Sequence, residues 1–176
     1  MMKRHEPACW EIFTDGASHG NPGPAGIGIV LQAPHGRSRL QLYKYLGETT
    51  NNVAEYTALI YALQEAMARG VRRVHVRLDS ELVARQMAGL YRVRDATLRQ
   101  LHAQCRQLAT GFDDCRIESV PREQNHEADR LAARGVAARP DTSLKRVDVL
   151  TTSGGQSDRR PPDPSAGGKS GLQRAA

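Results

Sequence analysis

No stretch of this 176-residue chain approaches the roughly 18 consecutive apolar residues that a membrane span requires. The first residues, Met1 to Trp10, mix charges with a proline and lack the apolar run of a secretory signal. Cysteine is scarce: Cys9, Cys105 and Cys115 cannot all pair within one chain, and none stands at the C-x-x-C spacing of a zinc site. The expectation is reduced, partly buried thiols in a cytoplasmic protein that binds no membrane. From Arg139 onward, aromatic and large apolar residues almost vanish. Gly, Ser and Pro replace them in Thr151-Thr152-Ser153-Gly154-Gly155, Arg160-Pro161-Pro162 and Ala166-Gly167-Gly168. Such a mixture buries too little surface to offset its ordering entropy. Residues 139–176 therefore read as a flexible basic tail, with a short ordered patch allowed at Val147 to Leu150, and residues 1–138 as the folded domain.

What is present suits one ordinary domain. The apolar fraction of 39% is enough for a single core. The formal net charge is +6. That surplus fits a polyanionic partner, and equally a protein that is merely soluble and basic. The tail holds seven Lys/Arg against four Asp, so it either adds non-specific phosphate attraction or only solubilises.

Periodicity divides the domain into alternating elements. Trp10-Glu11-Ile12-Phe13-Thr14 alternates at period two and stops at Asp15-Gly16, a strand and its breaker. Dense turn punctuation follows at Gly20-Asn21-Pro22-Gly23-Pro24. Ile27 to Leu31 and Leu40 to Leu46, separated by Pro34-His35-Gly36, complete an antiparallel meander. The period then becomes helical at Tyr56, Leu59, Ile60, Leu63 and Met67, with Asn51-Asn52 offering a cap and Gly70 a stop. Val74, Val76 and Leu78 form a fourth strand ending at Asp79, and Ser80 can cap the helix Glu81 to Met87. Leu98, Leu101, Cys105 and Leu108 mark another helix. Cys115, Ile117 and Ser119 share one side of a fifth strand. A last helix takes Asn125 as cap, buries Ala128, Leu131 and Ala132, and stops at Gly135. A meander followed by strand–helix–strand units implies the α/β class: a five-stranded mixed sheet, strands 4 and 5 parallel, covered by helices.

Acidic residues stand at the ends of these elements. Asp15 closes the first strand and Asp79 the fourth; as parallel neighbours they emerge at one carboxyl edge, where open α/β sheets bind ligands. Glu55 falls in the first turn of its helix and Asp129 four residues after Asn125. Each alone has an ordinary explanation: Asp-Gly makes turns, Asp-Ser caps, and an acid in a first turn complements the helix dipole. Gathered together, carboxylates repel and raise each other's pKa unless cations sit between them. An all-oxygen site suits Mg²⁺ or Mn²⁺, and two such ions serve in-line phosphate displacement.

Four segments carry a resemblance. They are Thr14-Asp15-Gly16-Ala17-Ser18 with Gly20-Asn21-Pro22-Gly23-Pro24-Ala25-Gly26, then Thr49-Thr50-Asn51-Asn52-Val53-Ala54-Glu55, then Leu78-Asp79-Ser80, and Asn125-His126-Glu127-Ala128-Asp129-Arg130-Leu131-Ala132. In order and spacing, over roughly residues 9 to 137, the chain resembles the type 1 ribonuclease H family, ribonuclease HI. The resemblance implies a ribonuclease H-like fold and an endonuclease that cuts the RNA strand of RNA–DNA hybrids, leaving 5′-phosphate and 3′-hydroxyl ends. It implies two Mg²⁺ ions, with Mn²⁺ as the other fitting metal, held by Asp15, Glu55, Asp79 and Asp129. Asn21, Thr50 and Asn51 match positions that contact the nucleic-acid backbone, as neutral donors suited to phosphate or a 2′-hydroxyl, and we add Ser80 and Asn125 as substrate-binding candidates.

The chain departs from many bacterial members in two places. Their catalytic histidine before the last helix is absent, and Arg122, seven residues before Asp129, takes its place, as in an archaeal-like branch. Arginine cannot shuttle a proton near neutral pH but can orient phosphate or help product leave. His126 reads as solvent-facing. The Lys- and Trp-rich handle of some relatives is also missing, since only Tyr91-Arg92-Val93-Arg94 precedes the next helix. Double-stranded RNA is the further substrate this branch allows. A non-catalytic binding module of the same fold predicts a missing carboxylate, and all four are present. A monomer is the expected state.

Overall fold

The computed structural model describes residues 8–147. The elements run β1 (Cys9–Ser18), β2 (Gly23–Gln32), β3 (Arg39–Thr49), α1 (Asn51–Ala68), β4 (Arg73–Leu78), α2 (Glu81–Met87), α3 (Ala96–Ala109), β5 (Asp114–Ser119), α4 (His126–Ala137) and β6 (Lys145–Arg146). One sheet holds all the strands in the order β5-β4-β1-β2-β3-β6. β1, β2 and β3 form the antiparallel meander. β4 then pairs parallel with β1, and β5 parallel with β4. The direction of growth thus switches at β1, and the carboxyl ends of β1 and β4 lie side by side.

The alternation in β4 explains its placement. Val74, Val76 and Leu78 are fully buried under α1, α2 and α3, in a core shared with Ile12, Ile27, Leu59 and Leu63. Full burial of a leucine of this kind stabilises the fold by about 1.5–3 kcal/mol. On the opposite face of the same strands, Arg77 bridges Glu11 at 2.8 Å and Glu118 at 3.2 Å, while His75 reaches Glu118 at 2.9 Å. The second face of the meander is covered by α4, whose Leu131 packs with Val30 and Tyr43. Glu127, near the start of that helix, is held by Arg39 and Gln41 of β3.

Two glycines let the helices approach the sheet without intervening side chains. A Cβ on Gly16 of β1 would lie 2.3 Å from the backbone of Ala54 and Glu55 in α1. A Cβ on Gly28, the β2 residue paired with Asp15, would lie 2.1 Å from the carbonyl oxygen of Ala128 in α4. Both helices therefore rest backbone-to-backbone on the strands beside Asp15, one on each face.

The structure corrects several sequence expectations. The sheet has six strands, not five: β6 pairs antiparallel with β3 through Leu42–Arg146 and Tyr43–Lys145, and the Val147 N–H donates to Gln41 O at 2.9 Å. Residues 145–147 of the expected tail thus pair with the sheet; 148–176 lies outside the described residues, as do Asp148 to Leu150 of the proposed ordered patch. The cap of α1 is Thr50, whose hydroxyl accepts from Val53 N–H at 3.3 Å, so Asn51 is the first helical residue and Glu55 lies just beyond the first turn. Helix α4 passes through Gly135 to Ala137, because Gly135 is where the helix touches β3: a Cβ there would lie 2.5 Å from Lys44 O. Among the described residues, no helix is long and apolar enough to cross a membrane.

Candidate active site

The carboxyl edges of β1 and β4, the N-terminal part of α1 and the start of α4 enclose a cleft of about 710 Å³. Asp15, Glu55, Asp79 and Asp129 all line it. β1 delivers Asp15 and β4 delivers Asp79 one residue past Leu78, and the parallel pairing of Thr14 with Leu78 sets the two acids next to each other. Glu55 joins them because Gly16 admits α1. Asp15, Glu55 and Asp79 each offer one carboxylate oxygen, and these atoms lie within 4.8 Å of one another. Asp129 lines the same cleft but stands outside this trio, and its Oδ1 accepts from Arg122 Nη2 at 2.8 Å.

Burial makes this arrangement costly. Asp15 and Glu55 are each 4% exposed. Burial first, then the Asp79 and Asp129 charges, pushes the Asp15 carboxyl from its ordinary 3.8 up to about 8. Burial, followed by Asp15 and Asp79, likewise raises Glu55 well above the usual 4.5, against a hydrogen bond from the Gly16 backbone. Arg122, itself held in its charged form by Asp129, offsets only a small part. Glu55 Oε2 is buried and, among the described residues, has no hydrogen-bond partner. An orphaned carboxylate oxygen within an all-oxygen trio fits a hard divalent cation, which removes the repulsion and satisfies the oxygen together.

The remaining sequence candidates divide by position. Asn51 and Ser80 line the cleft, and Asn21, Thr50 and Asn51 line an adjoining groove of about 440 Å³. Asn21 Oδ1 accepts from the Asn51 N–H at 3.1 Å, pinning the β1–β2 turn to the start of α1. Ser80 caps α2 as expected, accepting from Val83 N–H at 3.3 Å. Asn125 differs from expectation. It makes no side-chain cap and is 1% exposed, with its Nδ2 donating to Thr14 O at 2.9 Å. It fastens the start of α4 to the residue before Asp15, and at that burial it does not present its amide to the cleft. His126 is exposed, as expected, and is not among the cleft-lining residues. His19, which the sequence reading passed over, does line it. The only signal was spacing: positions 15, 17 and 19 share one side of an extended strand.

A mixed sheet that switches direction at β1, with clustered carboxylates at the switch, defines the ribonuclease H-like class of fold. The family model described as reverse transcriptase-like matches residues 13–135. The chain belongs to that family, as a member of its type 1 ribonuclease H group. It is 45% identical over 120 residues to the ribonuclease HI of Halobacterium salinarum, covering 68% of this chain and 60% of that protein. A bifunctional protein of Mycobacterium tuberculosis is 40% identical over 138 residues, covering 78% of this chain and 38% of that protein. The solved N-terminal RNase H domain of the mycobacterial protein superposes with a TM-score of 0.71 at 40% identity, over 74% of this chain and 95% of that one. A ribonuclease H1 isolated from compost, solved in complex with an RNA/DNA hybrid, superposes with a TM-score of 0.67 at 40% identity, over 73% of this chain and 97% of that one. The chain thus spans less than two thirds of the full-length halobacterial and mycobacterial relatives. The link between α2 and α3, residues 88–95, contains neither helix nor strand, in keeping with the missing handle.

Proposed function

We propose that this chain is an endoribonuclease that hydrolyses the RNA strand of RNA–DNA hybrids, leaving 5′-phosphate and 3′-hydroxyl ends. The observation that carries this reading is the trio of converging carboxylates with its orphaned Glu55 oxygen, on a backbone similar to that of a ribonuclease H1 solved with a hybrid. Asp15, Glu55 and Asp79, with Asp129 at the margin, would hold two Mg²⁺ ions, or Mn²⁺. When bound, such a pair supplies Lewis-acid stabilisation for the attacking and leaving oxygens of a phosphate displacement. Arg122 keeps Asp129 oriented at 2.8 Å and, 74% exposed at the rim, is placed to turn its remaining donors to phosphate. Asn21, Thr50, Asn51 and Ser80 form a polar margin for the backbone and 2′-hydroxyls.

The catalytic domain then extends through residue 147, and the free thiols, Cys105 fully buried, suit a reducing cytoplasmic setting. The test compares matched RNA–DNA hybrid, double-stranded RNA and double-stranded DNA with Mg²⁺, Mn²⁺ or chelator. Metal-dependent cutting of only the RNA in the hybrid is the expected outcome. Equal cutting of double-stranded RNA replaces this reading with a broader ribonuclease, and no cutting of any substrate with either metal overturns it.

A further inference from the structure

One cleft-lining side chain is used neither by the carboxylate chemistry nor by the packing of β1. His19 stands one residue beyond the end of β1, exposed, on the wall of the cleft that also holds Asp15, Glu55, Asp79, Asp129 and Arg122. Its mount is rigid. The His19 N–H donates to Pro24 O at 2.8 Å, and the Ser18 hydroxyl donates to Gly20 O at 2.6 Å. Gly23 lies so close that a Cβ there would come within 2.1 Å of His19 O. Asn21 Oδ1 then ties the whole turn to the first N–H of α1. Among the described residues, the imidazole itself has no hydrogen-bond partner. A fixed backbone thus presents a free ring donor to a cleft whose other lining charges are four carboxylates and one arginine already paired with Asp129.

Distance decides what that donor can reach. His19 follows Asp15 by four residues, at most about 13 Å along an extended chain at roughly 3.3 Å per residue. Both residues line the same cleft, so a single strand lying in it can meet both. We propose that His19 is a substrate-contacting residue whose imidazole donates to a phosphate of the RNA strand neighbouring the one that is cut, fixing the strand's register over Asp15. The proposal rests on the hybrid-cleavage reading above and extends it to a residue outside the carboxylate set.

The test measures hybrid binding by the full chain in a non-cleaving Asp15→Asn background with Mg²⁺. Adding His19→Ala is expected to weaken binding by about five- to tenfold, the loss of one partly exposed charge-assisted hydrogen bond. His19→Arg, which keeps a donor there, restores the affinity. A single neutral methylphosphonate walked along the RNA strand should weaken binding at one position beside the cut, and that weakening should disappear when His19→Ala is present. In the active protein, His19→Ala raises KM by more than it lowers kcat. Unchanged affinity of the His19→Ala variant, or equal sensitivity of both proteins to every neutral linkage, overturns the proposal while leaving hybrid cleavage intact. Failure of the wild-type chain to bind or cut the hybrid overturns both.

Discussion

Asp15→Asn keeps the shape of its side chain and removes a charge from a site that is 4% exposed and shared with Glu55 and Asp79. In the metal-free protein, folding holds the Asp15 carboxyl at about 8 in place of 3.8, by burial and then by the Asp79 and Asp129 charges. Folding therefore favours the protonated acid. Metal-free stability is greatest below the lower of these values and is lost as pH rises through the upper one. Each pH unit between them costs up to about 1.4 kcal/mol. Water in the open cleft screens part of that ceiling, so the gain for Asp15→Asn at the upper end is set at about 2 kcal/mol, or on the order of 6 °C in Tm for a domain of this size. Thermal melts in chelator read this directly. The asparagine variant should melt above wild type at pH 8, with the gap shrinking toward about pH 5 as the wild-type acid takes up its proton. Mg²⁺ should then stabilise wild type more than the variant. Hybrid cleavage should fall by more than about 100-fold, the upper range for loss of an outer partner of a metal ligand. A variant that melts at or below wild type in chelator at high pH would refute the repulsion argument. Retained cleavage would refute the assignment of Asp15 to the metals.

Three other substitutions separate site from scaffold. Arg122→Ala breaks the 2.8 Å pair with Asp129 at an exposed rim, so Tm should stay at the wild-type value while cleavage falls; Arg122→Lys should recover only part of the rate, because lysine lacks the planar fork. Asn125→Ala removes the buried side-chain bond to the Thr14 carbonyl that fastens α4 to β1, and urea unfolding should report a loss of about 1 kcal/mol. Gly16→Ala puts a Cβ 2.3 Å from the backbone of Ala54 and Glu55, which should cost about 1–3 kcal/mol of overpacking and reduce cleavage by moving Glu55 away from Asp15; unchanged melting and activity would show that α1 docks more loosely than the close approach requires.

Much of this arrangement was legible because it follows local rules. Val74, Val76 and Leu78 alternate at period two and the structure buries all three, while Ser80 both looks like a cap and acts as one. The metal chemistry supplied a reason for acids scattered over more than a hundred residues to meet, and the family resemblance the evidence that they do. Features that depend on a neighbour's backbone were not legible. Lys145-Arg146 has no apolar pattern, and only the open edge of β3 makes it a strand. Asn125 looks like a cap, but the proximity of Thr14 draws its amide inward. Asp129 resembles the other three acids in sequence, yet it stands outside the trio, with one of its oxygens bound by Arg122. Nothing in a run of residues reveals that Gly16 and Gly28 admit two helices onto opposite faces of the sheet.

β6 also bears on how copies of this chain behave toward one another. The strand is two residues long, both cationic, and it occupies the edge of β3 at Leu42 and Tyr43, where the row of N–H and C=O groups would otherwise face solvent. An uncovered edge of that kind is a template for pairing with a second chain, and a short, charged closing strand is a standard way to suppress it. A chain shortened to residue 138 would keep every carboxylate of the cleft and lose this cover. The nine residues that follow thus close an edge at which the sheet would otherwise be open to growth by recruiting its own kind.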